Sequence, residues 1–178
     1  MVARAGEVIE NPVTGERMTF RRTRADTGGA ELEVELELAP GAFLPLKHVH
    51  ARQEERFTVL AGALRFSSGS ATTVLEPGAT VAVPAGTPHA WAPAGGDEAR
   101  VAVLFTPALA TELFFESFFA LARDGKVNDK GVANVVRMGQ LGRAYDVYLA
   151  GPSVALQRPV FAALDLLGRL LGYPRLPR

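Results

Sequence analysis

The stretch Glu31 to Leu38, ELEVELEL, constrains the fold of this 178-residue chain more than any other. Leu32, Val34, Leu36 and Leu38 alternate with Glu31, Glu33, Glu35 and Glu37. A period of two over these residues predicts a strand with one face in a core and one in water. The glutamates are expected on the solvated face, because charged side chains are seldom buried without partners.

The chain keeps this strand-forming character up to Thr106. Strands are predicted over Phe43–His50, Glu55–Leu60, Ala63–Ser67, Thr72–Leu75, Thr80–Val83, His89–Ala92 and Arg100–Thr106. Pro40-Gly41, Gly62, Ser68-Gly69, Pro77-Gly78, Pro84-Ala85-Gly86 and Gly95-Gly96 punctuate them. Many short strands at even spacing predict an antiparallel sandwich or barrel. Residues 1–30 read as a polar lead-in with a turn at Asn11–Gly15 and a short strand at Met18–Arg22.

After Thr106 the period changes. Ala110, Leu113, Phe114, Phe118 and Leu121 predict a helix over Leu109–Arg123, with Thr106 as N-cap and Pro107 at the first helical position. Val132–Ala150 reads as a second helix and Val160–Leu171 as part of a third, which Pro159 kinks or begins. The division expected is thus a lead-in over 1–30, a β-domain over 31–106 and a helical extension over 107–178. That extension would pack on the barrel or on a partner. Phe114, Phe115, Phe118 and Phe119 suggest a homodimer contact.

Composition narrows the function. The formal net charge is zero and basic residues are not clustered, which argues against nucleic acid and anionic membrane as partners. A small molecule is the expected partner. There is no cysteine, so disulfides, thiolate ligands and a cysteine nucleophile are excluded. Neither an apolar leader nor a membrane-length apolar run is visible, and a cytoplasmic location is the expectation.

All three histidines of the chain lie in two glycine- and proline-marked segments. His48 and His50 sit two apart, so on a strand they point to the same side, with Cα atoms about 7 Å apart. The next strand would carry Glu55, Phe57 and Val59 inward, giving a carboxylate as a further ligand. His89 follows Pro84-Ala85-Gly86-Thr87-Pro88, a stiff turn suited to holding one imidazole in place. Three imidazoles and a carboxylate suit one divalent transition metal: iron, manganese, nickel, copper, zinc or cobalt. Such a set leaves positions open for substrate or water.

These residues resemble the paired motifs of a small single-domain cupin of the conserved-barrel type, here with a helical C-terminal extension. The first motif reads His48-Val49-His50, Glu55, Gly62, and the second reads Gly78, Pro84-Ala85-Gly86, His89. Gly41 precedes His48 by one residue more than usual, and Pro93 stands where an asparagine often does. The resemblance covers residues 32–106. It implies a mainly β fold, the double-stranded β-helix or jelly-roll barrel, with His48, His50, Glu55 and His89 as metal ligands. Spacing to Gly62 favours Glu55 over Glu54, which would then face outward or pair with Arg52 or Arg56.

Phe43, Leu46, Phe57, Val59, Trp91 and Phe105 are expected to line a pocket above the ion. The sequence shows no clear second catalytic base, so the metal, with Glu55 as proton acceptor, would carry the chemistry. An oxygenase-type enzyme acting on an apolar or aromatic molecule is the expected function. A non-catalytic sensor, or an isomerase or decarboxylase on the same site, are the alternatives.

Overall fold

A computed structural model describes residues 3–44, 46–95 and 97–177. Pro45 in the predicted strand Phe43–His50, and Gly96 in the predicted turn, lie outside them. Two antiparallel sheets face each other. The first is ordered β1 (Val8–Asn11), β2 (Glu16–Arg22), β3 (Leu32–Leu38), β10 (Ala99–Thr106), β5 (Glu54–Ala61), β8 (Thr80–Val83). The second is ordered β11 (Val147–Leu149), β4 (His48–His50), β9 (His89–Pro93), β6 (Leu64–Ser68), β7 (Ala71–Leu75). This is the antiparallel sandwich that the strand pattern predicts, in the jelly-roll form that the resemblance implies, followed by helices α1 (Thr111–Arg123), α2 (Val135–Tyr145) and α3 (Val154–Leu170).

The alternation in β3 sets the core. Leu32, Val34, Leu36 and Leu38 are all buried, packed with Met18 and Phe20 of β2 and Val101, Val103 and Phe105 of β10. On the other face the glutamates are not simply solvated. Arg21 and Arg100 meet Glu35 at 2.8 and 3.3 Å, Arg22 meets Glu31 and Glu33, and Arg17 meets Glu37. Each acid thus sits beside a cation from a neighbouring strand, so mutual repulsion along β3 is neutralised locally.

Four sequence expectations change. The strand predicted over Phe43–His50 is reduced to His48–His50, since residues 43, 44, 46 and 47 form no ladder. Thr106 is not a helix cap but the last residue of β10; α1 starts only at Thr111, with Ala110 at the N-cap. The Gln53 amide fills the gap, donating to Pro107 O, Ala108 O and Thr111 Oγ1. The helix predicted over Val132–Ala150 is split. Asn134 caps α2 by accepting from Arg137 N at 3.0 Å, and Asp146 ends it in the left-handed region (φ 62°). The chain then turns into β11, which pairs with β4. In α3 the cap is Ser153, and Pro159 lies inside the helix instead of starting it.

The phenylalanines of α1 point inward. Phe118 and Phe119 are buried, and Phe114 and Phe115 pack against the core and line the interior cavity. Within one chain these side chains are thus engaged in packing against the barrel. No helix among the described residues is long and apolar enough to cross a membrane.

Candidate metal centre

The site is assembled from three strands whose register does the positioning. β4 pairs with β9 through His48 opposite His89, while β5 lies in the facing sheet and brings in Glu55. Glycines make this possible. A Cβ on Gly62 (φ 68°) would lie 2.9 Å from Ala99 Cα and collide with Glu98 O, so β5 can leave the β10 ladder only through glycine. Gly86 (φ 82°) donates its N–H to His50 O at 2.8 Å, which locks the turn before His89 to the strand carrying the other histidines.

One ligand atom from each of His48, His50, Glu55 and His89 falls within a cluster whose members lie within 4.8 Å of one another. His48 Nε2 is 3.1 Å from His50 Nε2, and His50 Nε2 is 3.6 Å from Glu55 Oε1. His89 Nε2 and Glu55 Oε2 are in direct contact without the alignment of a hydrogen bond. The ring orientations are fixed from behind. His48 Nδ1 lies 3.2 Å from Leu46 O and His89 Nδ1 lies 3.1 Å from Thr87 O. Carbonyl oxygens only accept, so both Nδ1 atoms carry the proton and both Nε2 lone pairs face the cluster.

Electrostatics fit a cation. Burial, reinforced by His50 and His89, holds the His48 imidazole down at about 3, so it is neutral at physiological pH. Burial likewise lowers His50. Burial alone would raise Glu55, but the surrounding imidazoles, His50 foremost, bring it down to about 2. Burial alone would lower His89, and contact with Glu55 more than offsets it. His48 and His50 are thus held neutral and Glu55 ionised, the protonation states that a divalent first-row metal requires, while His89, raised by Glu55, would release its proton on binding the metal. Glu55 Oε2 and His89 Nε2 are fully covered and meet each other without an aligned hydrogen bond. In native structures such atoms call for a specific role, and ligation supplies one.

The cluster opens onto a cavity of about 480 Å³. Leu46, Phe57, Trp91 and Phe105 line it, whereas Phe43 and Val59 are not among its walls. Val59 faces inward but packs against Val101, beyond the cavity and into the solid core. Phe43 is half-buried in the segment before β4. Sequence reasoning missed most of the remaining wall. Phe114, Phe115, Phe118 and Phe119 come from α1, Met138 and Leu141 from α2, Tyr148 from β11, and Phe161 and Leu164 from α3. It also missed Glu16, a buried carboxyl on the same wall. Helical spacing marked most of these apolar residues as having a buried face, but not which surface that face covers. Glu54 pairs with Arg56 at 3.3 Å on the exposed side of β5, and Arg52 pairs with Asp146.

Residues 34–105 match the family model described as cupin domain. No curated protein matches the sequence. Among solved structures, a predicted oxalate decarboxylase from Thermotoga maritima superposes with a TM-score of 0.50 at 21% identity, over 60% of this chain and 99% of that one. KdgF from Halomonas sp. gives 0.49 at 18% identity, over 60% and 92% of the respective chains. A sugar phosphate isomerase from a cupin superfamily, from Silicibacter pomeroyi, gives 0.47 at 26% identity, over 59% and 71%. At 21% identity the first of these is a likeness of fold alone.

Proposed function

We propose that this chain, a cupin over residues 34–105 with a helical extension, is a metal-dependent enzyme that transforms a mainly apolar small molecule, most readily by an oxygenase-type reaction. The observation that carries this reading is the opening of the ligand cluster onto a closed-in apolar cavity. His48, His50, Glu55 and His89 would hold one divalent transition metal. When bound, such an ion supplies Lewis acidity and open coordination positions.

The chain's own residues do the rest. Trp91, Phe57 and Phe105 stand next to the cluster and would press a flat or aliphatic substrate against it while excluding water. Glu55, held at about 2, is a weak base. A general base works best with a pKa near the operating pH, so we assign Glu55 first as a ligand and only second as a proton acceptor. Among the described residues the wall contains no lysine or arginine. Apart from the metal itself, the phosphate of a sugar phosphate would therefore meet no cation in the wall, which disfavours an isomerase reading that depends on such a substrate; a carboxylate that the metal binds directly is not disfavoured in this way. A sensor that binds the same molecule without turnover shares the whole geometry and differs only in outcome.

Metal analysis of the purified protein should find close to one transition-metal ion per chain. Oxygen uptake should follow addition of a phenol or diketone. Protein that binds none of iron, manganese, nickel, copper, zinc or cobalt would end the proposal. Bound metal and bound ligand without turnover would leave the sensor.

A further inference from the structure

Among the described residues, Glu16 is the one carboxyl of the cavity wall outside the ligand cluster. It opens β2, pairs with Leu38 at the end of β3, and is 5% exposed. Register places it far from the histidines. Leu38 pairs with Ala99 at the start of β10, whereas Glu55 pairs with Phe105 near the other end of that strand. The cavity thus runs between two polar ends, with Leu36, Val103 and Phe115 among its apolar residues.

The Glu16 end has hydrogen-bonding capacity to spare. Thr14 Oγ1 donates to Glu16 Oε2 at 2.5 Å, and Oε1 makes no hydrogen bond among the described residues. The cross-strand neighbour Asn11 is 1% exposed, and its Nδ2 is covered and unpartnered among the described residues. Burial of such groups without partners is costly.

We propose that the cavity takes an elongated, mainly apolar molecule bearing a neutral hydrogen-bonding group, a hydroxyl or carbonyl, at the end remote from the histidines, and that Glu16 recognises that group. This deepens the reading of the cavity as a substrate site and does not depend on which metal is held. Burial pushes the Glu16 carboxyl up to about 7, only partly offset by Thr14. Near neutral pH it is therefore present in substantial part as the acid, able to donate as well as accept. A polar group there also rejects ligands that end in a methyl, because an unmet carboxyl is penalised while a met one is not.

Trp91 is the only tryptophan and stands in the cavity wall, so its fluorescence reports occupancy. Full-length protein as purified would be titrated with 1-octanol and with n-octane, two probes that differ by one hydroxyl. The wild type should bind octanol more tightly than octane. Glu16→Leu should lose about ten-fold in octanol affinity while octane changes little, and Glu16→Gln, which still hydrogen-bonds, should stay within about three-fold of wild type. Equal octanol affinity in wild type and Glu16→Leu overturns the proposal, as does failure of octanol to bind the wild type. Metal content measured on the same samples keeps the two readings apart. Lost octanol selectivity in the wild type with metal still bound sinks this inference alone, and absent metal with selectivity intact sinks only the metal reading.

Discussion

The barrel and the helical extension divide the labour of the cavity unequally. The barrel supplies every member of the ligand cluster, each held by a ladder or by a backbone bond from behind. The extension supplies none of them, yet α1, α2, β11 and α3 furnish much of the apolar wall. It is also tied to the site, because β11 pairs residue by residue with the strand that carries His48 and His50. On the proposed function, chemistry would thus lie within residues 34–105, the part that matches the family model. Selection of what reaches the metal would then lie largely in the part outside that match, after Phe105.

The sharpest way to break that division is to remove a ligand. Glu55→Ala or His50→Ala should lower metal affinity by about 100-fold or more, since metal sites lose 10–100-fold even when only an outer partner is removed. Metal analysis after dialysis should show near-empty protein, with the far-ultraviolet circular dichroism of the wild type. Full metal retention in both variants would mean that the cluster is not the site.

A second effect separates the two ends of the cavity by pH. The Glu16 carboxyl is raised from 4.5 to about 7 in the folded state. The folded state therefore holds a proton that the unfolded chain releases, and stability is lost as pH rises from 4.5 through 7. The shift corresponds to about 3 kcal/mol at full titration. Glu16→Gln should match the wild type near pH 4 and exceed it by up to about this amount at pH 8. Urea unfolding at the two pH values reads the difference. A pH-independent difference would show that Glu16 does not titrate in this range.

Legibility in the sequence follows the same division. The candidate ligands were visible because metal binding favours particular residue types at strand spacing, as in His48-Val49-His50, and because Glu55 and Gly62 fall at the positions of a family motif. The core strands were visible because one face of β3 is apolar and one charged. What lay hidden depends on contacts between distant segments. β11 is only three residues long and is defined by its pairing with β4, while the Val135–Tyr145 pattern runs into it with only Asp146 as a break. The phenylalanines of α1 carry no mark of which surface they face, and a water-avoiding helix predicts a dimer as readily as a lid. Glu16 reads as one more surface acid beside Arg17. Only the packing of Leu44, Leu46 and the helices around the same cavity shows it to be enclosed.

A third effect tests whether the extension is a separate structural layer. Gly142 of α2 packs against Phe161 of α3, and a Cβ there would also lie 2.7 Å from Val147 O. Gly142→Ala must push α3 or β11 aside, at a cost of about 1–3 kcal/mol. The melting temperature should fall while metal content stays near one per chain. Loss of metal in this variant would show instead that β11 holds β4, and with it the histidines, in place.

The smallest effect distinguishes the two faces of a single strand. On β3 the leucine and valine side chains are fully covered, whereas Glu35 reaches Arg21 and Arg100 at the surface. The Arg100 side chain is 53% exposed, and its pair with Glu35 spans 3.3 Å. Water and salt screen such a pair, and Glu35 keeps Arg21, so Arg100→Ala should cost no more than about 0.5 kcal/mol. Raising the salt concentration should shrink that difference further. A Val34→Ala change on the opposite face of the same strand removes buried methyl groups and leaves a void, so it should cost clearly more and be insensitive to salt. Should the two variants prove equally destabilising, the arginine–glutamate ladder would be holding the sheet together as firmly as the core does, and the barrel's stability would have to be sought on its outer face as well.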